Sequence, residues 1–341
     1  MEIKAKEYLS SYEFYAWIQN IREHLHYQKD EPVILDFTEV IRVESLVIPN
    51  LLCLGHILKT STSHTPIMRL AESMTGGYLK KYLNDIGFFQ YAKECQLYSF
   101  EHSPYGGWDG KAMNPKNITM YFPIPKKEGM TREQWMEKVV EDDYRRVKLG
   151  IHPFIEEYLK SFDVYDLDAD NRLFSQNSIE DIIFELAVNS AEHGDQFSFA
   201  TVQANYKTKR IYIAVSDCGR GFCNSVSSNY NSKKLEYNIL EHAPQNELEG
   251  ILIGLYARAQ STTYGLYNVV KKVLSFDGIV RIHSNDTQLI LTKKWEQAFG
   301  EGQLLAIDKF QESNIRKNLL FSGAHIEIDL PMKSKDWRAG R

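Results

Sequence analysis

Apolar residues recur along the chain with two different periods, and the switches between them mark the elements. In "EPVILDF" (31–37) a short apolar run follows a turn signal, the pattern of a buried strand. "SLVIPNLLCLGHILK" (45–59) then predicts an apolar helix, with Pro49 tolerable only in its first turn. "TPIMRLA" (65–71) reads as another strand and "GGYLKKYLNDIGFFQYA" (76–92) as one amphipathic helix. Strands alternating with helices predict an α/β unit. Between 101 and 130, "SPYGGWDG", "NPKN" and "PIPKKEG" are dense in Gly and Pro and read as turns and a linker, with "ITMYFPI" a strand among them. "TREQWMEKVVEDDYRRVKLGIHPFIEEYLKSF" (131–162) is helical, with Thr131, Glu133 and Gln134 as its start. Asp142 and Asp143 on it are read as a solvated face and not as metal ligands, because helix neighbours point ~100° apart.

The last third carries a second set of patterns. "IEDIIFELAVNSAEHGD" (179–195) predicts a helix capped by Asn177, with Glu180 as the capping-box partner. Ile179, Ile182, Ile183 and Leu186 form its core face. "FSFATVQANY" and "RIYIAVSD" alternate and are joined by "KTK", which predicts a β-hairpin. "GLYNVVKKVLSF" is a helix; "GIVRIHS", "TQLILT" and "HIEIDLP" are strands. No internal repeat or low-complexity tract interrupts the chain.

Composition narrows the classes. The chain has 341 residues and a mass of 39.5 kDa, which favours two domains. Hydrophobic residues make up 43% and aromatic ones 12%, enough for packed cores. Forty basic against forty-five acidic residues disfavour a nucleic-acid binder that relies on a basic face. Cys53, Cys95, Cys218 and Cys223 have no CxxC spacing, so reduced thiols are expected. The N-terminal stretch is mixed and charged, unlike a signal peptide, and no run approaches the ~20 apolar residues of a membrane span. The expected protein is cytoplasmic and makes no membrane contact.

Candidate chemistry lies along one edge of the 179–195 helix, where Glu185, Asn189 and His193 stand four apart. Taken alone, that stripe is a solvated boundary. Two downstream segments give it weight. "SDCGRGF" puts Asp217 at a strand end, with Gly219 and Gly221 letting backbone turn close to a ligand. A strand-end carboxylate can accept a hydrogen bond from an exocyclic amine. "TTYGLYNVV" sets Gly265 at a helix start, where free N–H groups favour phosphate.

"ELAVNSAEHG", "DCGRGF", "YGLYNVV" and "GAHIEIDLP" together resemble the ATP-binding domain shared by gyrase B, heat-shock chaperones, histidine kinases and MutL. The branch of anti-sigma-factor serine kinases is closest in style. The resemblance covers about the last half of the chain and implies a Bergerat-type α/β sandwich, helices covering one face of a mixed sheet with ATP between them. It implies that Asn189 holds Mg²⁺, that Glu185 is the general base, and that Asp217 binds the adenine amine. Gly219 and Gly221 would shape the pocket, and Gly265 with Leu266 would face the phosphates. His193 matches the motif in a structural role. The second glycine box offers Gly265 alone. Residues 223 to about 262 take the place of the mobile ATP lid, with Lys233, Lys234 and Arg258 as rival contacts to the γ-phosphate.

"PVILDFTEVIRVESLVIPNLL" is similar to the STAS domain of anti-sigma-factor antagonists. In that family a serine at the helix start is phosphorylated; Ser45 is the hydroxyl here, flanked by Glu44, Leu46 and Val47. The apolar bulk of Leu46, Val47 and Ile48 predicts a turn tucked against its own sheet, a docking surface and not a substrate of the chain's own ATP-binding domain. The expected fold class is α/β (α+β), with a STAS-like domain at 1–100, a linker and first strand at 101–130, and an ATP-binding domain at 131–335. The expected function is Mg²⁺-ATP binding for hydrolysis or protein serine phosphorylation, or alternatively a nucleotide-dependent protein-binding switch. Protein partners of the anti-sigma type are implied, and a homodimer stays open.

Overall fold

The computed structural model describes residues 2–25, 31–72, 77–101, 117–125, 129–154, 176–194, 197–230, 242–256, 265–296, 315–318 and 321–332. The fold is mixed α/β, with one parallel and one antiparallel main sheet.

The first hundred residues run β1 (Glu2–Lys4), β2 (Tyr8–Leu9), α1 (Ser11–Leu25), β3 (Ile34–Phe37), β4 (Arg42–Val43), α2 (Ile48–Thr62), β5 (Ile67–Leu70), α3 (Gly77–Asp85), α4 (Phe88–Glu94) and β6 (Ser99–Phe100). Strands pair in the order β1-β3-β5-β6, all parallel. Parallel neighbours need long crossovers, and each connection here carries at least one helix. Pro49 falls in the first turn of α2, as its missing N–H requires. The helix expected over 76–92 is two: Gly87 adopts φ 80°, a left-handed conformation that ends α3 and redirects the chain into α4.

The rest comprises β7 (Asn117–Pro123), α5 (Arg132–Phe154), α6 (Gln176–His193), β8 (Phe197–Asn205), β9 (Arg210–Asp217), α7 (Gly221–Tyr230), α8 (Glu247–Tyr256), α9 (Leu266–Ser275), β10 (Ile279–Ser284), β11 (Thr287–Leu291), β12 (Ile315–Lys317) and β13 (Ala324–Pro331). Seven strands form a sheet in the order β12-β11-β10-β13-β9-β8-β7. Every described pair in it is antiparallel, in contrast to the expected mixed sheet. The start of α5 is a capping box: Thr131 Oγ1 accepts from Gln134 N at 3.2 Å and Gln134 Oε1 accepts from Thr131 N at 3.1 Å. Asp143, expected on a solvated face, is 2% exposed and accepts from Arg146 at 3.2 Å. Helix α6 begins at Gln176, so Asn177 lies inside it and not at its cap.

The two faces of the large sheet bury different partners. Alternate residues Ala200, Val202, Ile211, Ile213, Val215, Ile282 and Ile328 pack against α5, α6, α8 and α9. The opposite residues face the first hundred. Phe197 and Phe199, with Phe321, join the core that α1, α2 and α4 build. Asn50 on α2 accepts from Ser216 Oγ at 2.5 Å and donates to Tyr15 at 3.3 Å. Ser11 Oγ donates to Glu327, 2.7 Å from each carboxylate oxygen. Ser45 is buried, but not against its own sheet: its carbonyl accepts from Thr201 Oγ1 on β8 at 3.0 Å. No described helix is long and apolar enough to cross a membrane, and the four cysteines are free thiols.

Candidate functional site

Helix α6 presents the polar stripe beside its core face. Ile179, Ile182, Ile183 and Leu186 are at most 1% exposed, Glu185 is buried, and Asn189 and His193 are half-buried. Asn189 Nδ2 donates to Glu185 Oε1 at 3.3 Å, one turn back on the helix. With the amide nitrogen committed there, the Asn189 carbonyl oxygen is the end suited to a cation.

Strand β9 delivers Asp217 to the same place. Asp217 is 4% exposed, and burial pushes its carboxyl up to about 6. The backbone N–H groups of Gly219 (2.7 Å) and Ala324 (3.3 Å), both donating to Oδ1, work against that rise, as does the Ser190 hydroxyl. The surrounding backbone approaches too closely for side chains. A Cβ on Gly219 would stand 2.5 Å from the His193 carbonyl oxygen, and one on Gly323 2.0 Å from that of Asp217. Gly221, at φ +77°, opens α7 against Asn285. Gly265, at φ 113°, is the N-cap of α9, and Leu266 follows it, 6% exposed.

These elements enclose a cleft of about 130 Å³. Of the residues predicted from sequence, Asn189, Asp217, Gly221, Gly265 and Leu266 line it, and so does His193. Glu185 and Gly219 are not on its wall: Glu185 lies behind Asn189, and Gly219 braces Asp217 from below. The sequence reading missed Ser190, Val215, Phe222, Ser225, Val226, Gly254, Ala324 and Ile326, which together with Leu186, expected only as core, complete the lining. Most are small or apolar; Ser190, Phe222, Ala324 and Ile326 lie inside the quoted motifs, but as residue types to which no role was assigned. Lys233, Lys234 and Arg258 lie outside the described residues.

The lid expectation needs correction over most of its described residues, since 223–230 belong to helix α7. The stretch 223–262 contains α8, whose Leu248, Ile251, Leu252, Ile253, Leu255 and Tyr256 are all buried, so this part is core. At its start Glu247 ties three segments together. Its carboxylate accepts from Cys223 N (3.1 Å), Asn285 Nδ2 (2.7 Å) and Ser284 Oγ. Asn285 in turn accepts from Gly323 N at 3.1 Å. The network holds the α7 start and the β10–β11 turn against the strand carrying Ala324.

The lining determines what the arrangement can do. Apolar walls suit a flat ring, and one buried carboxylate at the end of a strand suits an amine donor on that ring. Asn189 supplies the neutral oxygen that a hard cation takes alongside phosphate oxygens. Among the described residues no group of three or more His, Cys, Asp or Glu side chains could hold a metal ion by itself. No protein-family model, curated protein or solved structure matches this chain.

Proposed function

We propose that this protein binds Mg²⁺-ATP in the α6–β9–α9 cleft and uses it in regulation, by hydrolysis or by phosphorylating a protein serine. The observation that carries the reading is the gathering of Asn189, Asp217, Gly221, Gly265 and Leu266, distant in sequence, around one cleft. Asp217 would accept from the adenine amine, the apolar wall of Leu186, Val215 and Ile326 would flank the base, and the α9 N-terminus would face phosphate. Mg²⁺, when bound with the nucleotide, would neutralise phosphate charge, with the Asn189 oxygen as its protein ligand. Glu185, hydrogen-bonded to Asn189, would take the proton from water or a hydroxyl. The Bergerat-type and STAS-like assignments belong to this proposal.

One observation favours the second reading, a binding switch with little turnover. Residues next to Asp217 touch the N-terminal unit: Ser216 bonds Asn50, and the Cys218 thiol donates to the Cys53 carbonyl at 3.6 Å. A change at the adenine carboxylate would be felt across that contact. Calorimetry with ATP, with and without Mg²⁺, tests the binding that both readings share. Asp217→Ala is expected to weaken ATP by about 10- to 100-fold, the loss of a charged acceptor worth about 1.5–3 kcal/mol. Wild-type protein that binds no ATP would end both readings; where ATP binds, phosphate release chooses between them.

A further inference from the structure

A second cavity, of about 310 Å³, opens where the N-terminal unit meets the far end of the β8–β9 hairpin. Its walls come from the Ile41–Leu46 segment, from α3, and from Gln203, Asn205 and Tyr212 on the sheet. It is separate from the nucleotide cleft. Tyr212 and Asp217 are five residues apart on β9, about 17 Å along the strand, and point to opposite sheet faces.

We propose that this cavity binds a small planar aromatic anion. Three tyrosines from two units contribute rings: Tyr78 and Tyr82 on α3 and Tyr212 on β9. Tyrosines gathered around a gap of this size suit a flat ring held by aromatic contact. The charge is assigned by Arg42. Its guanidinium carbon lies 5.4 Å from the centre of the Tyr8 ring, and it makes no ion pair within 4 Å among the described residues. The carboxylate beside it, Glu44, is already used, accepting from the Tyr8 hydroxyl and from Ser11 N at 3.0 Å. Arg42 therefore offers a planar fork to a carboxylate or similar group. The Tyr82 hydroxyl is itself buried away from solvent with no hydrogen-bond partner among the described residues, so it is the ring of Tyr82 that is offered to an occupant. The proposal does not rest on the nucleotide reading.

Because one wall belongs to the sheet and the others to the N-terminal unit, an occupant bridges them and raises the unfolding temperature. The test uses the full chain without nucleotide and 2-naphthoate as the probe, with 2-naphthamide as its neutral counterpart. Saturable 2-naphthoate binding is expected by calorimetry, with the amide weaker by about tenfold, the worth of one charge-assisted hydrogen bond. Arg42→Gln should remove that preference, and Tyr78→Ala should weaken both compounds. Both side chains are exposed, so neither variant endangers the fold. Asp217→Asn should leave naphthoate binding unchanged. No saturable binding, or binding indifferent to Arg42→Gln and Tyr78→Ala, overturns the proposal.

Discussion

Glu185 and Asn189 share one hydrogen bond on one helix edge, yet the proposed chemistry asks different things of them. A base must take a proton, whereas a metal ligand must offer an oxygen. Glu185→Gln keeps size and burial but cannot act as base, so it is expected to retain ATP and lose turnover by about 10²-fold or more. Asn189→Ala should instead weaken Mg²⁺-dependent ATP binding. Nucleotide titration and phosphate release on both variants check the pair. A Glu185→Gln variant that releases phosphate as fast as wild type would leave Glu185 as an orienting partner for Asn189. At this scale the sequence was informative where chemistry and geometry coincide. Asp217 and Gly265 stand out by type and by position at element ends, and Asn189 by its four-residue spacing from Glu185. Gly254 and Ser225 do not, because a residue chosen for its smallness beside a cleft looks like any other small residue.

At the scale of elements, legibility followed the strength of local signals. The β8–β9 hairpin and α9 were readable because alternation and helical spacing were unbroken. Helix α8 is hard to recognise in the sequence because polar stretches on both sides dominate the pattern. Its own signal is present: Asn246 Oδ1 accepts from Glu249 N at 3.0 Å, and Glu249 accepts from Gln245 N at 2.8 Å, an Asn-x-x-Glu box before an apolar run. Asn246→Ala should therefore cost about 1 kcal/mol, and because α8 is core the loss should appear in the global denaturation midpoint. Loss only of local protection, with an unchanged midpoint, would mean that α8 opens independently. The split between α3 and α4 is hidden for another reason: apolar spacing continues across Gly87, and only its left-handed φ breaks the helix.

At the scale of the molecule, the buried polar layer between sheet and N-terminal unit sets a pH dependence. Glu327, 1% exposed, has its carboxyl pushed up to about 7 by burial, against the help of Arg281 and Ser11. Arg316 also favours its charge, and Glu44 opposes it. A raised folded value means the native state holds its proton longer than the unfolded chain. Stability is therefore lost as pH rises from the ordinary value of 4.5 toward 7. Relative to Glu327→Gln, wild type should lose on the order of 3 kcal/mol across that window. The nearby His283, lowered to about 4 by burial, contributes with the opposite sign in acid, but equally in both proteins. Parallel denaturation curves at each pH give the difference, and a flat one would show that water or relaxation already solvates the carboxylate. This layer was not legible, because Ser11 and Glu327 are 316 residues apart and nothing in the sequence pairs Ser11 with the "GAHIEIDLP" strand that carries Glu327.

The aromatic side chains of Phe197, Phe199 and Phe321 complete the core of the first hundred residues, and this has a consequence for synthesis. A ribosome releases the N-terminal unit long before it reaches position 321. Until then α1 and α2 have no lid over their apolar side, since Phe14 waits for Phe321, whose ring stands 5.2 Å away. The early segment should linger as a sticky, incompletely packed intermediate and become orderly only near the end of translation. A released 1–101 fragment is expected to bind a hydrophobic dye and to aggregate, whereas chains extended past β13 should not. A monomeric, cooperatively melting 1–101 fragment would show that the early segment needs no late strands to close.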